Sequence, residues 1–489
     1  MPDSFSYRID LYQRLRSRLS EILDDADALA RSLAIPETRR GRIGASGATS
    51  ANPGRPHREV LEAIEKSAMS SRPMVELGDE LRRVVKSVYG DAYDGVLVSN
   101  SESALGIAFG TLIVPPQAGA GEPYRTRYLV PYERHLEHHG SYGRPYPARY
   151  RDIFADRGAT SGELGLAGRR QPFTDAVIVK LPGARYDVHG IRQYVCPLLL
   201  DVDAEQSATA LARAAALQAT SLGGFVSLAY DTPGYGYGTR DADGTPLLQR
   251  RIGELARQHD VPYIADDASG MPFLGTDLRR TGADVTFFSM DKVAGGPCGS
   301  LVVGREEAMG GIRRALGQHG ERFGTASSYG KGGFVAADPG REALAGSLAA
   351  LRLLRDHPER VTTPIETLHA IVLEAHTRFA DELGPGIVIS RSLNAGGVEI
   401  NYQRSWAGSE FGIPIFSHED RIAGSNVFGL ILARLGVQPG LADDGNIMLT
   451  PGLGTLDDSG LREDAARDVA RATFAALGLL RRWGSKVIS

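Results

Sequence analysis

The chain has 489 residues, 42% of them hydrophobic and 23% charged, with a formal net charge of −4. A single core rarely grows beyond about 250–300 residues, so one large and one smaller domain are expected. The slight acidic balance argues against nucleic acid or an anionic membrane surface as the main partner. Cys196 and Cys298 are the only cysteines, too few for a disulfide framework or a closed zinc site. The first twenty residues lack the apolar core of a signal peptide, and no apolar run reaches the roughly 18 residues of a membrane span. These features read as a soluble, cytoplasmic protein.

In chain order, Leu11, Leu15, Leu19, Leu23 and Leu29 recur at near-helical spacing over 9–33, predicting a packing or dimer helix, with packing preferred. Residues 34–57, rich in Gly, Pro, Ser and Arg, read as a loop, and 58–70 as a helix. From Tyr93 short apolar runs (GVLVSN, TRYLVPY, DAVIVKL, LGGFVSLAY, VPYIADD, DVTFFSM, GSLVVG) alternate with helical stretches, including one at about 246–259. Buried parallel strands with crossover helices have this texture. After about 335 two helical stretches, three strand-like pieces (GIVIS, GGVEINY, NIMLTP) and a closing helix at about 460–482 predict a smaller α+β domain. The expected division is an N-terminal helix and arm (1–57), an α/β large domain with a mostly parallel sheet (58–335) and a C-terminal domain (336–489).

The chemistry concentrates in 261–304. One apolar strand delivers Asp266 and Asp267 at its carboxyl end; the next delivers Ser289 and then Lys292; a GGPCG turn leads into a third. Ligands of open α/β sheets bind beyond the carboxyl ends of strands. Pyridoxal 5′-phosphate (PLP) needs a lysine for an imine and a carboxylate to keep its ring nitrogen protonated, and a strand-end lysine and aspartate meet both needs. Taken singly, a turn-capping Asp266 and a surface Lys292 are the better reading; the surrounding pattern changes it.

The stretch Asp266-Asp267-Ala268-Ser269, then Ser289-Met290-Asp291-Lys292, then Gly296-Pro297-Cys298-Gly299 resembles fold-type I PLP enzymes. The resemblance is to their class V aminotransferase and cysteine desulfurase branch, and Lys292 follows Asp266 by the branch's interval of 26 residues. It implies that Lys292 forms the imine, Asp266 pairs with the ring nitrogen and Ser289 helps hold the phosphate. Asp291 stands where a histidine is common, and Ser269 where a glutamine or histidine commonly touches the ring oxygen. Residues 96–109 (VLVSNSESALGIAF) resemble the branch's phosphate loop, which implicates Ser101, Glu102 and Ser103; read alone, they form an ordinary helix cap. Glu137-His138-His139 matches the segment bearing the ring-stacking residue, making His138 the candidate and His135 the fallback. Asp231 stands where a polar residue lies near the ring oxygen, and Tyr230, Tyr235 and Tyr237 line either the pocket or an interface. Gly324-Thr325 resembles the segment that reaches the neighbouring subunit's phosphate, implying a homodimer with the active site at its interface. No metal set accompanies the histidines.

Desulfuration by the usual route is disfavoured, because no cysteine follows Cys298, itself read as a small buried hydrophobe. The segment NIMLTPGLGTLDD, where the resemblance places an arginine for the substrate carboxylate, has none; Arg391, Arg404 and Arg421 are nearby alternatives. The expected activity is aminotransfer on a small amino-acid-type substrate in amino-acid or secondary metabolism. The alternatives are β- or γ-elimination or replacement on a larger substrate, and a non-enzymatic regulator or scaffold, which the intact Lys292 and Asp266 disfavour.

Overall fold

A computed structural model describes residues 11, 14–44, 53–113, 127–133, 192–198, 204–217, 219–220, 222–229, 238–275, 277–316, 337–394, 396–406, 412–414, 427–439, 442–443, 446–452 and 454–488. Seven strands build the central sheet: β1 (Tyr93–Val98), β2 (Arg127–Glu133), β3 (Arg192–Leu198), β4 (Leu222–Leu228), β5 (Tyr263–Asp266), β6 (Val285–Ser289) and β7 (Ser300–Arg305). Their order is β1-β7-β6-β5-β4-β2-β3. From β3 to β6 all pairings are parallel, while β7 runs antiparallel to both β6 and β1.

Side chains alternate between the two faces of a strand, and in β5, β6 and β7 both faces are buried. Tyr263 and Ala265 of β5, Phe288 of β6 and Leu301 and Val303 of β7 enter one core. Ile264, Phe287 and Val302 enter another. This double burial is why the strands read as unbroken apolar runs. Helices Met74–Tyr89, Ala204–Leu217, Leu247–Gln258 and Arg341–Asp356 contribute to the first core, and Ser101–Ala108 and Glu306–Ala315 to the second. The helix Met74–Tyr89, which is not among the sequence expectations, buries Leu77, Leu81, Val84 and Val85.

A third core lies under an antiparallel sheet of β8 (Val388–Ser392), β9 (Gly397–Asn401), β10 (Ala442–Asp443) and β11 (Asn446–Leu449), in the order β10-β11-β9-β8. Helices Glu359–Leu383, Val427–Leu435 and Glu463–Ile488 pack into it. The N-terminal helix Leu19–Leu33 joins them through Ile22, Ala26, Ala30 and Leu33; of the five leucines that predicted it, Leu11 and Leu15 are buried in this core, Leu19 and Leu29 only partly, and Leu23 is not part of it. Among the described residues, no helix is long and apolar enough to cross a membrane.

At the start of β1 the fully buried Asp94 accepts the Arg82 Nε–H at 2.9 Å, pairs with Arg313 and accepts the Gly95 N–H at 2.8 Å. Both arginine side chains are largely buried. Removing the carboxylate leaves two largely buried guanidinium groups near each other, with Asp79 at 3.8 Å from Arg82 and Glu306 at 2.9 Å from Arg313 as remaining partners. Asp94→Ala is therefore expected to lower the unfolding free energy by about 3–5 kcal/mol, measured by urea denaturation; a loss within about 0.5 kcal/mol, typical of a surface change, would contradict this role.

Candidate active site

Parallel pairing of β5 with β6 sets their carboxyl ends side by side. Asp266 closes β5, and Lys292 sits three residues beyond the end of β6 on a turn. The turn is held by Met290 N–H to Gly299 O (2.9 Å), Gly295 N–H to Lys292 O (3.1 Å) and Gly296 N–H to Met290 O (2.6 Å), with Gly295 at φ +64°. Burial pushes the Lys292 amine below the ordinary lysine range, opposed first by the Asp266 charge and then by Asp291 and Asp267. Burial likewise pushes the Asp266 carboxyl up, opposed by the Ala268 N–H and by Lys292. Desolvation disfavours each charged form, and the mutual attraction only partly restores it. The result is an amine that loses its proton more readily than a solvent lysine, near a carboxyl group that gains from a cationic partner. Asp266 Oδ1 also accepts the Ala268 N–H at 3.0 Å, so the side chain caps the turn after β5.

A second group forms at the start of the helix Ser101–Ala108. Val98 of β1 and Ser289 of β6 both pair with Ser300 of β7. The register thus brings the helix start to the end of β6, where the Ser101 and Ser289 hydroxyls form a hydrogen bond. Asn100 caps the helix, its side chain accepting the Ser103 N–H at 2.8 Å, and the Ser103 hydroxyl meets Ser99 Oγ at 3.0 Å. The N–H groups of residues 101 and 102 have no acceptor within the helix and carry its positive dipole end. Ser101 and Ser289 together with these N–H groups make an anion-compatible cluster, whereas Ser103 serves the cap.

Ser269 is buried on the turn after β5. The side chain of Glu102, and His135, His138, Tyr230, Asp231, Tyr235, Tyr237, Gly324 and Thr325 altogether, lie outside the described residues. Cys298 corrects the expectation of a buried hydrophobe. It is exposed, because the glycine turn carries it to the rim of the sheet, where its thiol donates to Ser99 O at 3.5 Å. Partial burial raises its pKa, which makes it a poorer nucleophile. Arg391 is paired with Glu366 and lines a recess with Arg240 and Arg280. Arg404 is exposed and Arg421 lies outside the described residues.

The sequence reading missed the N-terminal arm. Gly54 N–H donates to Asp291 O at 3.2 Å, and a Cβ at Gly54 would collide with the Lys292 carbonyl oxygen. Arg55 continues the contact, bonding Leu456 O at 3.2 Å and Asp458 at 2.8 Å. An open groove of about 750 Å³ runs beside this junction, lined by Arg55, His57, Val293, Arg360 and Asp458 among others. It abuts the backbone of the lysine turn; neither Lys292 nor Asp266 is among its described lining. The one advance signal was a glycine in a proline-rich loop, where close backbone approach is a standing reason for glycine.

No protein-family model matches the chain, and no curated protein sequence matches it. Solved structures do. One is pyridoxamine-pyruvate aminotransferase from Mesorhizobium loti, with a TM-score of 0.50 and 16% identity over 93% of this chain and 98% of that one. Another is a transaminase from the marine bacterium Virgibacillus, with a TM-score of 0.50 and 14% identity over 90% of this chain and 89% of that one. At these identities the likeness is one of fold. The chain has the fold-type I architecture, an α/β large domain with a mostly parallel sheet, that the resemblance around Lys292 implies.

Because Gly54 leaves no room for a methyl group, Gly54→Ala is expected to destabilise the chain by about 1–3 kcal/mol, the usual cost of overpacking. Urea denaturation measures this; an unchanged midpoint would mean that the arm is not seated against the lysine turn.

Proposed function

We propose that the chain is a PLP-dependent aminotransferase acting on an amino acid or amino-acid-derived small molecule. The observation that carries the reading is the placement of Asp266 at the end of β5 and of Lys292 just beyond the end of the adjacent parallel β6, both largely buried and each within reach of the other's charge. The donor set fits PLP: an amine for its aldehyde, a carboxylate for its ring nitrogen, and two hydroxyls at a helix start for its phosphate. The solved structures of the same fold that are themselves aminotransferases support it.

When bound, PLP supplies a protonated ring that takes up the electron pair left by a departing substrate proton. Asp266 would keep the ring nitrogen protonated. Lys292, a base of suitable strength because burial lowers its pKa, would take up and return the substrate Cα proton. Ser101 and Ser289 would hold the phosphate. A homodimer with the site at its interface, His138 stacking on the ring and Thr325 reaching the partner's phosphate belong to this reading as proposals, as does a cytoplasmic role in amino-acid or secondary metabolism.

The test is visible absorption of the PLP-loaded protein before and after adding a panel of amino acids, with analysis of products. Lasting loss of the visible band with release of a keto acid is the expected outcome. Return of the band with release of ammonia would replace aminotransfer by elimination. A protein that acquires no visible band with excess PLP would overturn the reading. Lys292→Ala is expected to reduce turnover by at least about 10²–10⁴-fold, the contribution of a positioned general base; turnover close to wild type would remove Lys292 from the chemistry.

A further inference from the structure

Strand β5 ends in two consecutive carboxylates, and the proposed chemistry uses only the first. Asp267 is 1% exposed, and Asn394, which faces it, is 0% exposed. Asn394 Nδ2 donates to Asp267 Oδ1 at 3.3 Å, and Asn394 O accepts the Met271 N–H at 3.1 Å. Asn394 therefore grips the turn 267–271 through both side chain and main chain. On the same turn the Ala268 N–H is bound by Asp266 Oδ1, and Ala268 O accepts the Ser289 N–H at 3.3 Å. One short path links Asn394 to the carboxylate and to the end of β6.

Asn394 lies on the segment between β8 and β9, so this tie runs from the antiparallel sheet to the strand end of the parallel one. The same segment reaches the lysine turn. Gly396, at φ +64°, packs so closely on Val293 that a Cβ there would overlap its side chain. At Gly275, a Cβ would likewise collide with Asn394 Oδ1. A buried carboxyl group is retained at low cost only where hydrogen-bond partners hold it.

We propose that Asn394, acting through Asp267, is a positioning residue that fixes Asp266 opposite the Lys292 amine and thereby sets the affinity and orientation of the cofactor ring. The inference rests on the PLP reading above. Asp267 acts through the backbone it shares with Asp266, since successive side chains at a strand end point to opposite sides.

The test compares the full-length wild type, Asn394→Ala, Asn394→Asp and the swapped pair Asp267→Asn with Asn394→Asp. Three quantities are read: thermal midpoint, PLP dissociation constant, and visible circular dichroism of the bound cofactor. The two single variants are expected to bind PLP at least tenfold more weakly, with a reduced visible dichroic band per bound cofactor. The swapped pair re-forms one donor and one acceptor and is expected to recover most of both, a coupling that independent sites would not show. Single variants that lose thermal stability yet bind PLP with wild-type affinity and dichroism would overturn the inference, as would a swapped pair no better than the singles. If Asn394→Ala does not fold, the swapped pair against Asn394→Asp decides. Wild-type protein that takes up PLP while its variants behave alike sinks this inference alone; wild-type protein that takes up none sinks the parent reading with it.

Discussion

The parallel pairing of β5 with β6 is the constraint on which the rest of the site depends, because it fixes where Asp266 and Lys292 can stand. Each residue alone would prefer water to the strand ends, since burial lowers the amine pKa and raises that of the carboxyl. Folding buries these two reluctant charges at neighbouring strand ends, and their attraction offsets only part of the desolvation. An arrangement of that kind, costly to stability and buried beside a sheet end, is what a site that handles protons requires.

The other parts of the large domain hold that pair. The reversal of β7 between β6 and β1 puts Ser300 opposite both Ser289 and Val98, which delivers a helix start to the site without a further crossover. The lysine turn is gripped from two directions, by Gly54 of the N-terminal arm and by Gly396 of the segment between β8 and β9. Both contacts come from outside the parallel sheet. The seating of the lysine turn therefore depends on Gly54 of the arm and Gly396 of the segment after β8, both far from it in sequence.

The strand and helix pattern around the site was legible because it is local. Fully buried strands spell continuous apolar runs, and the pairing of Asp-Asp-Ala-Ser with Ser-Met-Asp-Lys carried both residue type and interval. The first helix was legible from its leucine spacing, but the face it buries is that of Ile22, Ala26, Ala30 and Leu33. What stayed hidden depends on contacts between distant segments. Nothing in the sequence near Asn394 announces a partner 127 positions away, and Gly54 differs from other loop glycines only once it meets the lysine carbonyl. Cys298 was misplaced because a small residue in a glycine turn reads as buried, while the turn in fact carries it outward. The helix Met74–Tyr89 went unread although Leu77, Leu81, Val84 and Val85 share one face.

The most direct measurement is borohydride reduction of the PLP-treated protein, followed by proteolysis and mass spectrometry of the peptides. Reduction turns a labile carbon–nitrogen double bond into a permanent one, so the cofactor stays on the residue that held it. The account predicts one stoichiometric adduct, on Lys292, and its loss when PLP is omitted. An adduct distributed over surface lysines with Lys292 unmodified would contradict it.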